Sequence, residues 1–126
     1  MSHSDPQTFA AEWIEAWNSR NLDRILTHYA PEIVFLSPGA QKLRGDGRVV
    51  GIDALRDYWR AALAINTDLK FELVGVLEGF EGLTVLYRNH RGQAVAETVE
   101  FDRAGKVVRS CACYAPAAIL ETASRA

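Results

Sequence analysis

Apolar residues near the start of the chain recur every three or four positions, the spacing of one helix face. Phe9, Trp13 and Trp17 form the spine of that stripe, with Ala10, Ile14 and Ala16 beside them. Ser4-Asp5-Pro6 supplies a cap followed by a proline for the first turn. The polar run from Asn18 to Asn21 breaks the stripe. Asn21 can then cap a second helix through Leu22, Ile25, Leu26 and Tyr29, which Pro31 ends. Ile33 to Ser37 reads as a short strand stopped by Pro38-Gly39, and the glycine-rich stretch up to Gly51 reads as a loop. Ile52, Leu55, Trp59, Ala62 and Leu63 mark a third helix, with Tyr58 beside the stripe and Asp53 at its positive end.

After Thr67 the helical period gives way to alternation. Residues 69–77, 83–90, 93–101 and 106–114 are β-rich runs separated by glycine-containing turns at hairpin spacing. Helices first and a strand meander afterwards predict an α+β fold, three N-terminal helices on one face of a curved, mostly antiparallel sheet. At 126 residues the chain is expected to form a single domain, 1–126.

The run AVAETVEF, Ala94 to Phe101, holds an anomaly. One face carries Val95, Glu97, Val99 and Phe101, so Glu97 interrupts an apolar rank. With Arg91-Gly92 as a two-residue loop, Arg88 pairs with Val95 and Leu86 with Glu97. The next turn then sets Glu97 opposite Ser110, with Ala112 and Tyr114 on the same face. Across the first hairpin that face continues through Phe71, Leu73, Gly75 and Leu77. The helix-facing surface is thereby expected to hold one small polar group: Glu97, Arg88, His90, Ser110 and Tyr114. A slip of one residue would exchange the faces. The outer face, with Ala96, Thr98, Cys111, Cys113, Val107 and Tyr87, is apolar enough for a homodimer interface.

Composition narrows the function classes. Apolar residues make up 48% and charged residues 24%, as in ordinary globular proteins, and the formal charge of −2 gives no basic footprint for nucleic acid. No run reaches membrane-spanning length, and the polar start lacks the apolar segment of a secretory signal, so a cytoplasmic location is expected. Cys111 and Cys113 are two apart on a strand and poorly placed to bridge each other. With no His or Asp beside them they make a weak metal site, and no metal is expected.

The run AEWIEAWNSRNLDRILTHYAPEIVFLSP, followed by GIDALRDYW and closed by FDRAGKVVRSCACY, resembles the nuclear transport factor 2-like superfamily, nearest its polyketide-cyclase (SnoaL)-like branch. The resemblance spans roughly residues 8 to 114. It implies a cone whose curved sheet and helices enclose an apolar pocket, often dimeric through the outer sheet face. Against the ketosteroid isomerases of the superfamily, the proton-shuttling aspartate falls on Ser37. The two oxyanion-hole positions fall on Trp13 and Glu97, Tyr29 matches a supporting tyrosine, and Trp59 replaces another. The missing shuttle base counts against ketosteroid isomerisation. Against scytalone dehydratase, a tyrosine–aspartate pair falls on Trp17-Asn18, so that dyad cannot form.

The resemblance and the residues together predict a pocket for a small, flat or cyclic organic molecule, with no cofactor. Glu97 is the candidate acid/base, since desolvation raises a carboxyl pKa toward neutrality. The alternative for Glu97 is a structural ion pair with Arg88, diagonal to it. His90 is the second catalytic candidate, its unperturbed pKa lying near physiological pH. Trp13, Trp17, Tyr29, Ser37, Tyr58, Trp59, Arg88, Ser110 and Tyr114 are candidate ligand contacts, although an aromatic stripe also serves as plain core. An isomerase, cyclase or dehydratase working by proton transfer is one expected function. The other is a non-catalytic ligand-binding or dimerisation module.

Overall fold

The computed structural model describes residues 5–116. Helix α1 (Pro6–Ser19) is capped by Asp5, whose side chain accepts from the Thr8 amide at 3.0 Å. Helix α2 (Leu22–Leu26) is capped by Asn21 and held to α1 by Arg24, which reaches Glu12 at 2.9 Å and Glu15 at 3.1 Å. Strand β1 (Tyr29–Leu36), helix α3 (Pro38–Arg44), strand β2 (Arg48–Val50) and helix α4 (Ile52–Ile65) follow. The remaining strands are β3 (Glu72–Gly79), β4 (Gly82–Arg88), β5 (Ala94–Phe101) and β6 (Val107–Tyr114).

The six strands form one open sheet in the order β2-β1-β6-β5-β4-β3. Every neighbouring pair is antiparallel except β1 with β6, which run parallel. Phe9, Trp13, Trp17, Leu55, Trp59 and Leu63 are buried on α1 and α4, among the inward residues of the sheet. The α+β architecture expected from the sequence is thus present, with one helix more. The Ala-rich tail after Pro116 lies outside the described residues, as does Ser4 of the expected first cap.

Several local expectations are corrected. Tyr29 is the first residue of β1, not the last of a helix. Pro31 falls where the β1–β6 register shifts, a place that needs no ladder N–H. The glycine-rich stretch contains α3 and β2. Ser37 caps α3 through the Gly39 amide at 3.0 Å, and Gly45 ends it at a φ of 80°.

The β4–β5 connection is three residues long, His90 to Gly92, with Asn89 paired to Gln93 by backbone at 3.0 Å. Asn89 also accepts from the Arg91 and Gln93 amides, and Gly92 sits at φ 75°. That extra loop residue moves the register by one. Tyr87 pairs with Val95 and Val85 with Glu97. Tyr87 therefore faces inward and is buried, and Arg88 faces outward and is exposed, the reverse of the expectation.

Bulges account for two further exchanges. The β3–β4 register shifts between Leu73 and Gly75, leaving Val74 60% exposed and turning Gly75 and Leu77 outward. A shift between Glu100 and Phe101 turns Val107 inward. Glu97 pairs with Ala112, so Ser110 is its diagonal neighbour on the same face.

Candidate functional site

Alternation along β5 sends Glu97 into the interior, where it is 3% exposed. Ser110 on β6 donates its hydroxyl to Glu97 Oε2 at 2.7 Å. Among the described residues Oε1 has no hydrogen-bond partner, and Glu97 lines a cavity of about 460 Å³. Burial pushes the Glu97 carboxyl up to about 7, against a smaller downward pull from Ser110. The carboxyl thus divides between its acid and base forms near neutral pH.

The cavity walls are aromatic because α1, α4 and the sheet present rings to one space. Trp13, Trp17, Phe35, Trp59, Phe71 and Tyr87 all line it. Trp17 meets Trp59 edge-on at 4.9 Å, Trp13 stacks on Phe71 at 5.9 Å, and Phe71 lies 4.4 Å from Tyr87. Asn18, just beyond the last turn of apolar residues, both donates to and accepts from the Phe71 backbone, at 2.8 and 2.7 Å. That pair of bonds fixes Phe71 and the start of β3 against α1.

Hydroxyls gather on the side toward α3. Tyr58 and Tyr114 line the cavity, and Ser37 lies close enough to both to moderate the rise in their pKa. Burial, assisted by the Glu97 charge, pushes Tyr114 up to about 12. Tyr58 is also raised by burial. Both phenols stay protonated and able to donate at neutral pH. Gly39 makes room for Tyr58, since a Cβ there would lie 2.8 Å from the phenol oxygen.

The structure thus gathers Glu97, Trp13, Trp17, Tyr58, Trp59, His90 and Tyr114 around one space. His90 sits in the β4–β5 loop with Nε2 3.7 Å from Asp68 Oδ1, and its buried Nδ1 has no partner among the described residues.

Four sequence candidates lie elsewhere. Arg88 points away from the cavity, with only the Gly92 carbonyl at 3.5 Å among the described residues, so the expected ion pair with Glu97 does not form. Tyr29 is fully packed behind the wall, its hydroxyl accepting from the Trp13 indole at 2.9 Å. Ser37 and Ser110 are buried supports of the wall: Ser37 caps α3 and Ser110 holds Glu97. His28 packs edge-on against Phe9, 5.4 Å between ring centres, and lies 3.5 Å from Glu12.

The sequence reading missed Tyr87 and Phe35, and it missed the rim residues Lys42, Asn66, Arg91 and Gln93. Ser37-Pro38 followed by Gly45 was an available signal for a helix carrying Lys42.

Helices packed over one open six-stranded sheet give the cone of the nuclear transport factor 2-like fold. The chain belongs to the SnoaL-like family, whose domain matches residues 10–115. A SnoaL-like protein of unknown function from Burkholderia thailandensis is 37% identical, covering 88% of this chain and 94% of its own, at a TM-score of 0.85. An NTF2-like protein of unknown function from Burkholderia pseudomallei shares the fold at 19% identity and a TM-score of 0.73, over 94% and 96% of the two chains. TerC, co-crystallised with polyporic acid, does so at 16% identity and a TM-score of 0.74, over 93% and 97%. Among curated proteins none matches this sequence. No helix among the described residues is long and apolar enough to cross a membrane.

Proposed function

We propose that this protein binds a flat cyclic or aromatic organic molecule in the cavity and moves a proton on it without a cofactor. The reaction class is isomerisation, cyclisation or dehydration. One observation carries the reading: Glu97 is buried at the cavity, with one oxygen held by Ser110 and the other free, at a pKa of about 7. A base of that pKa accepts a carbon-bound proton at neutral pH, and its acid form returns one. Tyr58 and Tyr114 supply donors for the oxygen on which negative charge develops. The tryptophans hold the ring system, and His90 stands at the rim. The co-crystallisation of TerC with polyporic acid supports a small organic molecule as the occupant of this fold.

The test is exchange of the activated C–H protons of beta-tetralone for deuterium, followed by proton NMR in D₂O. The native protein is expected to accelerate exchange, and Glu97→Gln to lower it by about 10²–10⁴-fold toward the buffer rate. Exchange that survives in Glu97→Gln removes Glu97 from the chemistry.

The second reading is a binding module without turnover. It is favoured by the neighbourhood of Glu97, where the Tyr29 hydroxyl is already engaged by Trp13 and no histidine among the described residues bonds to the carboxyl. Exchange at the buffer rate, with the ketone still quenching tryptophan fluorescence, would select that reading. In either case the outer sheet face, with Ala96, Thr98, Cys111 and Cys113, is the expected surface for a homodimer.

A further inference from the structure

The charged side chains around the cavity are sorted by depth. Deep in the wall the one carboxyl is Glu97. At the rim stand Lys42 from α3 and His90 and Arg91 from the β4–β5 loop, and among the described residues no aspartate or second glutamate lines the space. The whole chain carries a formal charge of −2. A cationic mouth is therefore a local departure from the composition.

Asp68 is the acid beside the rim histidine, 3.7 Å from His90 and 80% exposed. Lys42 and Arg91 have no salt-bridge partner among the described residues. The Arg91 guanidinium is steadied by the Asn66 side-chain oxygen at 3.5 Å. Asn66 is neutral and also lines the cavity, so Arg91 is held near the opening with its charge intact.

Depth sets a length. Gln93, the residue before β5, and Glu97 within β5 are four residues apart, about 13 Å along an extended chain. Between them the space is bounded by ring faces and edges. An occupant touching both ends is long, flat and polar at its two extremities.

Resting on the reading of the cavity as a small-molecule site, the geometry points to one ligand class, a flat aromatic acid. Its neutral oxygen lies at the Glu97 end, and its carboxylate lies at the Lys42–Arg91 mouth.

All three tryptophans of the chain line the cavity, so intrinsic fluorescence reads its occupancy. The probes are a hydroxynaphthoic acid, with hydroxyl and carboxyl at opposite ends, and its methyl ester. The native protein is expected to bind the acid about five- to tenfold tighter than the ester at low salt, the range two partly solvated charge contacts supply. High salt should shrink the ratio. Lys42→Gln/Arg91→Gln, at two exposed positions, should abolish it and leave ester affinity unchanged. Equal affinity in the native protein, or a ratio that survives in the double variant, overturns the acid-binding mouth while the cavity reading stands. Quenching by neither probe overturns both.

Discussion

Glu97 links stability to chemistry through a single proton. Its carboxyl titrates at about 7 in the folded chain, against 4.5 for an unburied glutamate. Below 4.5 both states hold the proton and burial carries no charge penalty. Between the two values the folded chain keeps a proton that the unfolded chain has released, so stability falls as pH rises and levels off above 7. The interval corresponds to about 3 kcal/mol. Glu97→Gln keeps the shape and an acceptor for Ser110 but cannot ionise. Its melting temperature is expected to exceed that of the native protein at about pH 8 and to match it near pH 4, measured by circular dichroism. A melting-temperature difference between the two proteins that does not change with pH would mean that Glu97 is solvated. The inward direction of Glu97 could be read from the sequence because parity within one strand is a local property. The position of Arg88 could not, because it depends on how many residues lie between two strands.

At the scale of elements that count is decided by the β4–β5 loop. Asn89 ties the Arg91 and Gln93 amides, and Gly92 closes the loop at φ 75°, a conformation costly for any residue with a Cβ. Nothing lies within 4 Å of a Cβ built at Gly92, so Gly92→Ala tests backbone strain alone. It is expected to cost about 1 kcal/mol, a few degrees in melting temperature. If the melting temperature does not move, another feature sets the register. Arg91-Gly92 is present in the sequence, but whether His90 ends the strand or opens the loop depends on Asn89 forming its bonds. The helical stripe of Phe9, Trp13 and Trp17 was readable for the opposite reason, since it needs no information from outside its own fourteen residues. The parallel pairing of β1 with β6 joins residues far apart in sequence, and no local pattern announces it.

For the whole molecule, the sheet separates two worlds. Its inner face carries the aromatic cavity; its outer face carries small side chains, with Thr84 and Thr98 hydrogen-bonded across it at 2.8 Å, bordered by the exposed charges of Arg88, Glu100 and Arg109. The protein is expected to sediment as a dimer in analytical ultracentrifugation. Thr98→Lys is expected to sediment as a monomer with an unchanged circular dichroism spectrum, because the substituted side chain is exposed and off the cavity. A monomeric native protein would leave the outer face without a partner. Overall architecture was open to sequence reasoning because periodicity and turn residues act over short distances. The mouth of the cavity was not, since it is assembled from α3, the end of α4 and a loop in β4–β5.

Being open, the sheet has two margins, β2 with three residues and β3 with eight. The longer margin is the hazardous one, for an unpaired strand of that length invites another chain to add to it. The extra residue at Val74 spoils the invitation: it bends the ribbon and breaks its spacing of free amides and carbonyls. Deleting Val74 would straighten that margin and reverse the sides taken by Gly75 and Leu77. The irregularity that defeats simple alternation in β3 thereby makes that margin a poorer template for an added strand.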